Sequence, residues 1–298
     1  MTGWEAWLKS QNKAYFYTGL SIIFWATVAT AFKISLRSLT PIQLLFVSSG
    51  SSLLVLGLLA LFTGKMKLLT NFTNKDVGFS AFMGLINPFG YYLILFEAYD
   101  LLPAQIVQPL NCTWGIVIVF LSIPILKQKV SLFNVLTLLI SFTGVSIIAY
   151  GGEVSKYHNV SLLGVVLALS TSFIWSLYWL INARDNKDEL MRLFLNFLFG
   201  FIYILIFILV SGSLREFNFV GLFPAIYVGI FEMGLTFWFW LQALRFSKNT
   251  AKISIYIYLF PILSLGIIYL FLDEKILVTS VVGLILVITG VVLNKVLD

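Results

Sequence analysis

Ten apolar runs of about 20 residues follow one another along this chain, each the length needed to cross a bilayer as a helix. They lie near 15–36, 41–63, 77–99, 103–123, 131–150, 161–182, 190–211, 220–244, 252–272 and 277–295. The breaks carry turn and charge signals, among them "TGKMKLLTNFTNKD", "LKQK", "GGEVSKYHN" and "NARDNKDE". Charged residues make up 11% of the 298, against roughly 25% in soluble domains. A soluble fold could not hide that much apolar surface. Strands of a membrane barrel would be about 10 residues with alternating polarity, which these continuous runs are not. The expected fold is an all-α integral membrane protein with ten transmembrane helices.

The distribution of cations orients it. With ten spans and the N-terminus inside, Lys33, Arg37, Lys156, Arg215 and Lys275 fall outside, and the other 14 of the 19 Lys and Arg fall inside. Inside loops carry the excess of Lys and Arg in membrane proteins, so both termini are expected on the cytoplasmic side. Residues 1–14, with Trp4, Trp7, Lys9 and Lys13, form an interfacial lead-in.

The chain repeats itself. "LLISFTGV" at 138–145 matches "LILVITGV" at 284–291, "FEAY" at 96–99 stands opposite "LQAL" at 241–244, and "IFWAT" at 23–27 resembles "FIWSL" at 173–177. The common order indicates two five-helix units, 15–151 and 152–298. Five is odd, so the second unit starts on the opposite side and the repeats are inverted. Inverted repeats are a transporter architecture, with the substrate near the midplane and alternating access as the mechanism.

Polar residues inside the runs are the candidate site. Glu232 sits in "GIFEMGLTFWFWLQAL", about ten apolar residues from either edge. A charge at a helix centre costs roughly 2.5–3.5 kcal/mol on insertion scales, so such groups face a bundle interior or a wet cavity. At an offset of 145 its counterpart is Asn87, in "GLINPFGYY", where Pro88 removes a helix hydrogen bond. Glu232 is either a substrate-cation contact or proton-coupling group, or one half of an ion pair with Lys252 or Lys33. Gln105, Gln108 and Asn111 share a face of the fourth helix, lining a cavity or bonding neighbouring helices. Tyr256 and Tyr258 follow Lys252 in the ninth. Trp25, Trp114, Trp175, Trp179, Trp238 and Tyr91 fall within spans, either as packing or as the walls of an apolar pocket. The expected substrate-binding set is Glu232, Asn87, Trp25, Tyr91, Gln108, Asn111, Trp175, Trp179, Trp238, Tyr256 and Tyr258.

Other functions find little support. One cysteine (Cys112) and one histidine (His158) leave no metal or disulfide framework, and there is no paired cluster for an enzyme. No charged ring or filter-like loop suggests a channel. No "GxxxxGK[ST]" points to ATP, and no cofactor is expected.

The two repeats, the tryptophan near the start of each, and "YLFPILSLGIIYLFLDEKI" near the end resemble the EamA type of the drug/metabolite transporter superfamily over residues 15–296. The resemblance implies an inner-membrane carrier, often an exporter of amino acids, whose cavity is lined by the first, third, fourth, sixth, eighth and ninth helices. Pro261 matches the family's ninth-helix proline and Glu274 the acid before the tenth. Gly115 and Gln128 stand where the first repeat would carry that proline and acid, Ala26 replaces a glycine after Trp25, and Ser48 or Ser49 replaces an arginine. The expected function is export of small amphipathic metabolites such as amino acids. The alternative is efflux of aromatic or quaternary cations with Glu232 as counter-charge. Expected partners are the small-molecule substrate, the bilayer and coupling protons, with no nucleic acid. A homodimer through the fifth and tenth helices would use Gly144, Gly283 and Gly290.

Overall fold

The computed structural model describes residues 3–102, 107, 110–151, 161–214, 218–260, 262–264, 267 and 278–296. Among these every regular element is helical. Six helices are long and apolar enough to cross a membrane: Gln11–Leu36, Pro41–Phe62, Asn74–Ala98, Leu162–Arg184, Glu189–Ser211 and Phe219–Phe246. Shorter apolar helices cover Leu110–Leu126, Leu132–Ile147, Thr250–Ser264 and Val281–Asn294. The fourth run, expected from residue 103, has its described apolar helix from Leu110. Gln105 and Gln108, with Pro261, Glu274 and Lys275, lie outside the described residues.

The regular α-helices are α1 (Gly3–Leu36), α2 (Pro41–Phe62), α3 (Asn74–Gly84), α4 (Tyr91–Leu101), α5 (Trp114–Leu126), α6 (Leu132–Gly151), α7 (Leu162–Arg184), α8 (Glu189–Ser211), α9 (Leu222–Tyr227), α10 (Phe237–Phe246), α11 (Thr250–Ser254) and α12 (Val278–Val296). Local chemistry sets several of their starts. Thr40 precedes Pro41, and its backbone N–H donates to Gln43 Oε1 at 2.9 Å. Thr73 and Asp76 cap each other reciprocally at α3, and Asp188 accepts the N–H groups of Leu190 and Met191 at α8. Such caps satisfy amide donors that a helix leaves orphaned in its first turn.

The chain forms two compact units, and each draws on both halves of the sequence. Unit 1 comprises Met1–Ala26, Ile94–Arg184 and Gln242–Asp298; unit 2 comprises Thr27–Leu93 and Asp185–Leu241. Within unit 1, α6 packs along α12 and α5 against α7. Within unit 2, α8 packs on α2, on α3 and on the segment Leu85–Gly90. Gly200 permits that last approach, since a Cβ there would lie 2.5 Å from the Pro88 ring.

The small residues expected to face a second copy are spent inside unit 1. A Cβ on Gly144 would lie 2.8 Å from Val287 Cγ2, and one on Gly290 would lie 2.7 Å from the Thr137 carbonyl oxygen. Ser141 Oγ donates to the Val287 carbonyl at 3.3 Å and Asn294 Nδ2 to Thr137 Oγ1 at 2.8 Å. The two matching strings therefore meet each other within the chain, as small residues allow helices to do in membranes.

Candidate substrate site

Among the described residues unit 2 contains two π-helical segments, and each carries one of the polar residues singled out in the sequence. Asn87 lies in Leu85–Gly90 with φ −151° and ψ 123°, an extended conformation inside an otherwise helical span. Pro88 explains the break, because it has no N–H to donate and its ring restricts the residue before it. Glu232 lies in Val228–Thr236, a π-helical segment. There Thr236 Oγ1 donates to the carbonyl of Phe231, five residues back. Wide turns of this kind occur mostly as single-turn bulges, frequently at functional sites.

Glu232 is 5% exposed, and its Oε1 accepts a 2.5 Å hydrogen bond from the Tyr92 hydroxyl, 140 residues away in sequence. Its Oε2 has no hydrogen-bond partner among the described residues. The same holds for both ends of the Asn87 amide, which is fully buried, and for Ser52 Oγ on α2, the helix that packs on the Glu232 segment. Buried polar groups in folded proteins are almost always bonded, and each one left without a partner costs about 1–3 kcal/mol. Glu232 and Asn87 stand out among such groups because each also lies in a departure from the regular α-helix. Tyr91, also buried, stands edge-to-face with Tyr92 at 4.8 Å.

Glu232 takes part in no ion pair among the described residues. Lys252 is half-buried on α11 and belongs to unit 1, while Glu232 belongs to unit 2; the Lys33 side chain lies outside the described residues. The sequence did not single out Tyr92 as a partner. Its signal was present in "PFGYY", one turn beyond the break at Asn87.

Unit 1 gathers the tryptophans. Trp25, Trp114 and Trp175 form a triangle with centroids 5.7, 6.4 and 6.0 Å apart, and Trp179 extends it at 5.5 Å from Trp175. All four are buried. Asn111 is committed to its neighbour, donating to Thr171 Oγ1 at 2.9 Å. Ser172 Oγ of α7 donates to the Asn111 carbonyl at 2.7 Å, and Ser176 Oγ to that of Trp114 at 3.2 Å. A line of α7 hydroxyls thus straps down the start of α5, which is the interhelical alternative for Asn111. Tyr258 is buried, with its hydroxyl 3.5 Å from the Cys112 carbonyl. Tyr256 packs edge-to-face on Tyr15 at 5.5 Å. In unit 2, Trp238 is half-buried beside Phe239.

A second polar cluster in unit 2 is structural. Arg192, read from sequence as one more inside cation, is 1% exposed. Its Nε donates to Asp185, its Nη1 to the Asp76 carbonyl at 2.7 Å and to Ser80 Oγ at 2.8 Å, and its Nη2 lies 3.5 Å from Asp76 Oδ1. Phe72 and Phe79 lie against the guanidinium at 5.0 and 4.8 Å. Lys187 pairs with Asp76 at 3.0 Å and Lys65 with Asp188 at 2.7 Å.

The sequence profile of the EamA-like transporter family matches residues 12–150 and 162–295. The chain belongs to the EamA-like transporter family. This EamA-like transporter is 25% identical to an uncharacterized transporter of Clostridium kluyveri over 291 residues, 95% of this chain and 93% of that one. It is 23% identical to the uncharacterized transporter YoaV of Bacillus subtilis over 281 residues, 91% of this chain and 93% of that one. A crystal structure superposes on the EamA-like transporter with a TM-score of 0.79 at 17% identity, covering 96% of this chain and 97% of that one, a likeness of fold.

Proposed function

We propose that this EamA-like transporter is a secondary carrier that exports small amphipathic metabolites, amino acids or related compounds, by alternating access. Ten spans in two inverted five-helix repeats would place both termini on the cytoplasmic side of the inner membrane. The repeat is supported by the two family matches and by Asn87 and Glu232, which the sequence offset of 145 pairs and which both lie in departures from the regular α-helix.

One observation carries the reading: a buried carboxylate with one oxygen held by Tyr92 and the other without a partner among the described residues. A substrate ammonium group or a transported proton would satisfy that oxygen. The Asn87 amide offers both a donor and an acceptor, as a zwitterion needs. The second reading is efflux of aromatic or quaternary cations, favoured because Glu232 has no ion pair among the described residues and is free to serve as counter-charge.

The test is a ligand panel on the purified protein, reading thermal stabilisation by amino acids, aromatic cations and nucleotide sugars, with Glu232→Gln alongside. A ligand that binds the folded state raises its stability by mass action. Stabilisation by amino acids supports the metabolite carrier. Stabilisation by cations that disappears in Glu232→Gln supports the second reading, and stabilisation by neither class sinks both.

A further inference from the structure

Two separate features hold the π-helical segment Val228–Thr236 in its register. The first is packing on α2. A Cβ on Gly229 would lie 2.3 Å from the Ser48 carbonyl oxygen and 2.6 Å from Ser51 Cβ. One on Gly234 would lie 3.4 Å from Val55 Cγ1 and 3.6 Å from Ser52 Oγ. Both glycines therefore face α2. They are five residues apart, and i→i+5 bonding sets such residues roughly one above the other. In a regular α-helix they would point about 140° apart, and only one of them could meet α2.

The second feature is the Thr236 hydroxyl. Thr236 is fully buried, and its Oγ1 donates to the Phe231 carbonyl, five residues back. Serine and threonine hydroxyls on regular helices reach three or four residues back. Ser48 does so to Leu44, Thr143 to Leu139 and Thr289 to Ile285. In an α register the Thr236 hydroxyl would turn to the carbonyl of Glu232 or Met233. Its bond to Phe231 thus belongs to the wide turn, and that turn encloses Glu232.

Glu232 is three residues past Gly229 and two before Gly234, so the register that seats the glycines on α2 also sets the direction of its side chain. That direction brings Oε1 to the Tyr92 hydroxyl at 2.5 Å. Closing the turn to an α register would rotate Glu232 relative to the glycines, and the bond to Tyr92 depends on that angle.

We propose that Thr236 is a positioning residue of the candidate site, whose hydroxyl holds the wide turn that presents Glu232 to Tyr92. Its consequence for ligand binding rests on the function proposed above for Glu232; the positioning itself does not.

The test is a double-mutant cycle on the purified full-length protein in detergent, read as unfolding temperature. Parent, Thr236→Val, Tyr92→Phe and the double variant form the cycle, with Thr236→Ser alongside. Valine keeps the branched shape and removes the donor; serine keeps the donor. Thr236→Val is expected to lower the unfolding temperature of the parent, and to lower that of Tyr92→Phe by no more than half as much, because the bond to be aligned is already gone. Thr236→Ser is expected to restore the parent value. Independent sites add, so equal shifts in the two backgrounds would overturn the proposal. So would no shift at all, or a Thr236→Ser protein that behaves like Thr236→Val.

Ligand affinity is the second readout, with leucine, phenylalanine and benzyltrimethylammonium as probes of thermal stabilisation. For a probe whose binding is lost in Glu232→Gln, Thr236→Val is expected to weaken binding by up to about tenfold, the worth of one hydrogen bond. Thr236→Ser should recover it, and unaltered affinity in Thr236→Val would overturn the proposal. If no probe stabilises the parent, or Glu232→Gln changes none of the responses, the proposed role of Glu232 fails. The unfolding cycle then decides by itself whether Thr236 positions Glu232.

Discussion

The Tyr92 hydroxyl donates a 2.5 Å hydrogen bond to Glu232 Oε1, joining the helix just past the Asn87 break to the π-helical segment of the eighth run. Both side chains are buried, Tyr92 at 1% and Glu232 at 5% exposure. Tyr92→Phe keeps the ring and its contact with Tyr91 but leaves the carboxylate with no hydrogen bond from a described residue. The expected cost is about 1–3 kcal/mol, read as a lower unfolding temperature in detergent. An unchanged unfolding temperature would mean that the pair contributes nothing to stability.

Asn87 predicts the opposite separation of stability from activity. Its amide has no partner among the described residues, so replacing it with an apolar side chain of similar size removes an unsatisfied group. Asn87→Leu is expected to unfold at the same temperature as the parent or higher, and to lose transport in proteoliposomes. Retained transport would remove Asn87 from the proposed site.

How far the sequence reached depends on the range of the interaction. Span positions follow from local composition, and Pro88 announced the break at Asn87 because its effect is confined to neighbouring residues. Glu232 was legible as a buried acid for the same reason. Its partner was not, since the Tyr92 bond closes across 140 residues and Tyr91 beside it reads identically. Asn111 was legible as a polar face, but whether it lines a cavity or straps two helices together depended on Thr171 of α7. Arg192 was counted only as one more inside cation, and its burial was not legible. Counting loop cations cannot distinguish a solvated charge from one neutralised by Asp76 and Asp185, and α3 has to pack on α8 before the difference exists.

That buried cation yields a third prediction. Removing one member of a buried ion pair costs about 3–5 kcal/mol. Here Asp76 and Asp185 keep 20% and 16% exposure, and Lys187 still holds Asp76, so Arg192→Gln is expected to cost nearer about 2 kcal/mol. Arg192→Lys should recover little of it, because the planar fork reaches Asp185, Ser80 and the Asp76 carbonyl at once and an ammonium cannot. Lys65→Gln, at a pair whose lysine is 31% exposed, should cost less than about 1 kcal/mol. Thermal unfolding of the three variants side by side would test the order, and an Arg192→Gln effect no larger than that of Lys65→Gln would contradict it.

Gly144 separates packing within the chain from packing between chains. A Cβ at this position would lie 2.8 Å from both the backbone nitrogen and Cγ2 of Val287, so α6 and α12 approach too closely for a larger residue. Overpacking of this kind typically costs about 1–3 kcal/mol. Gly144→Val is therefore expected to lower the unfolding temperature while leaving the mass measured by light scattering in detergent unchanged. If the variant instead keeps its unfolding temperature and halves its mass, the glycine face serves a second copy. The α6–α12 contact within the chain would then not be what selects a glycine there.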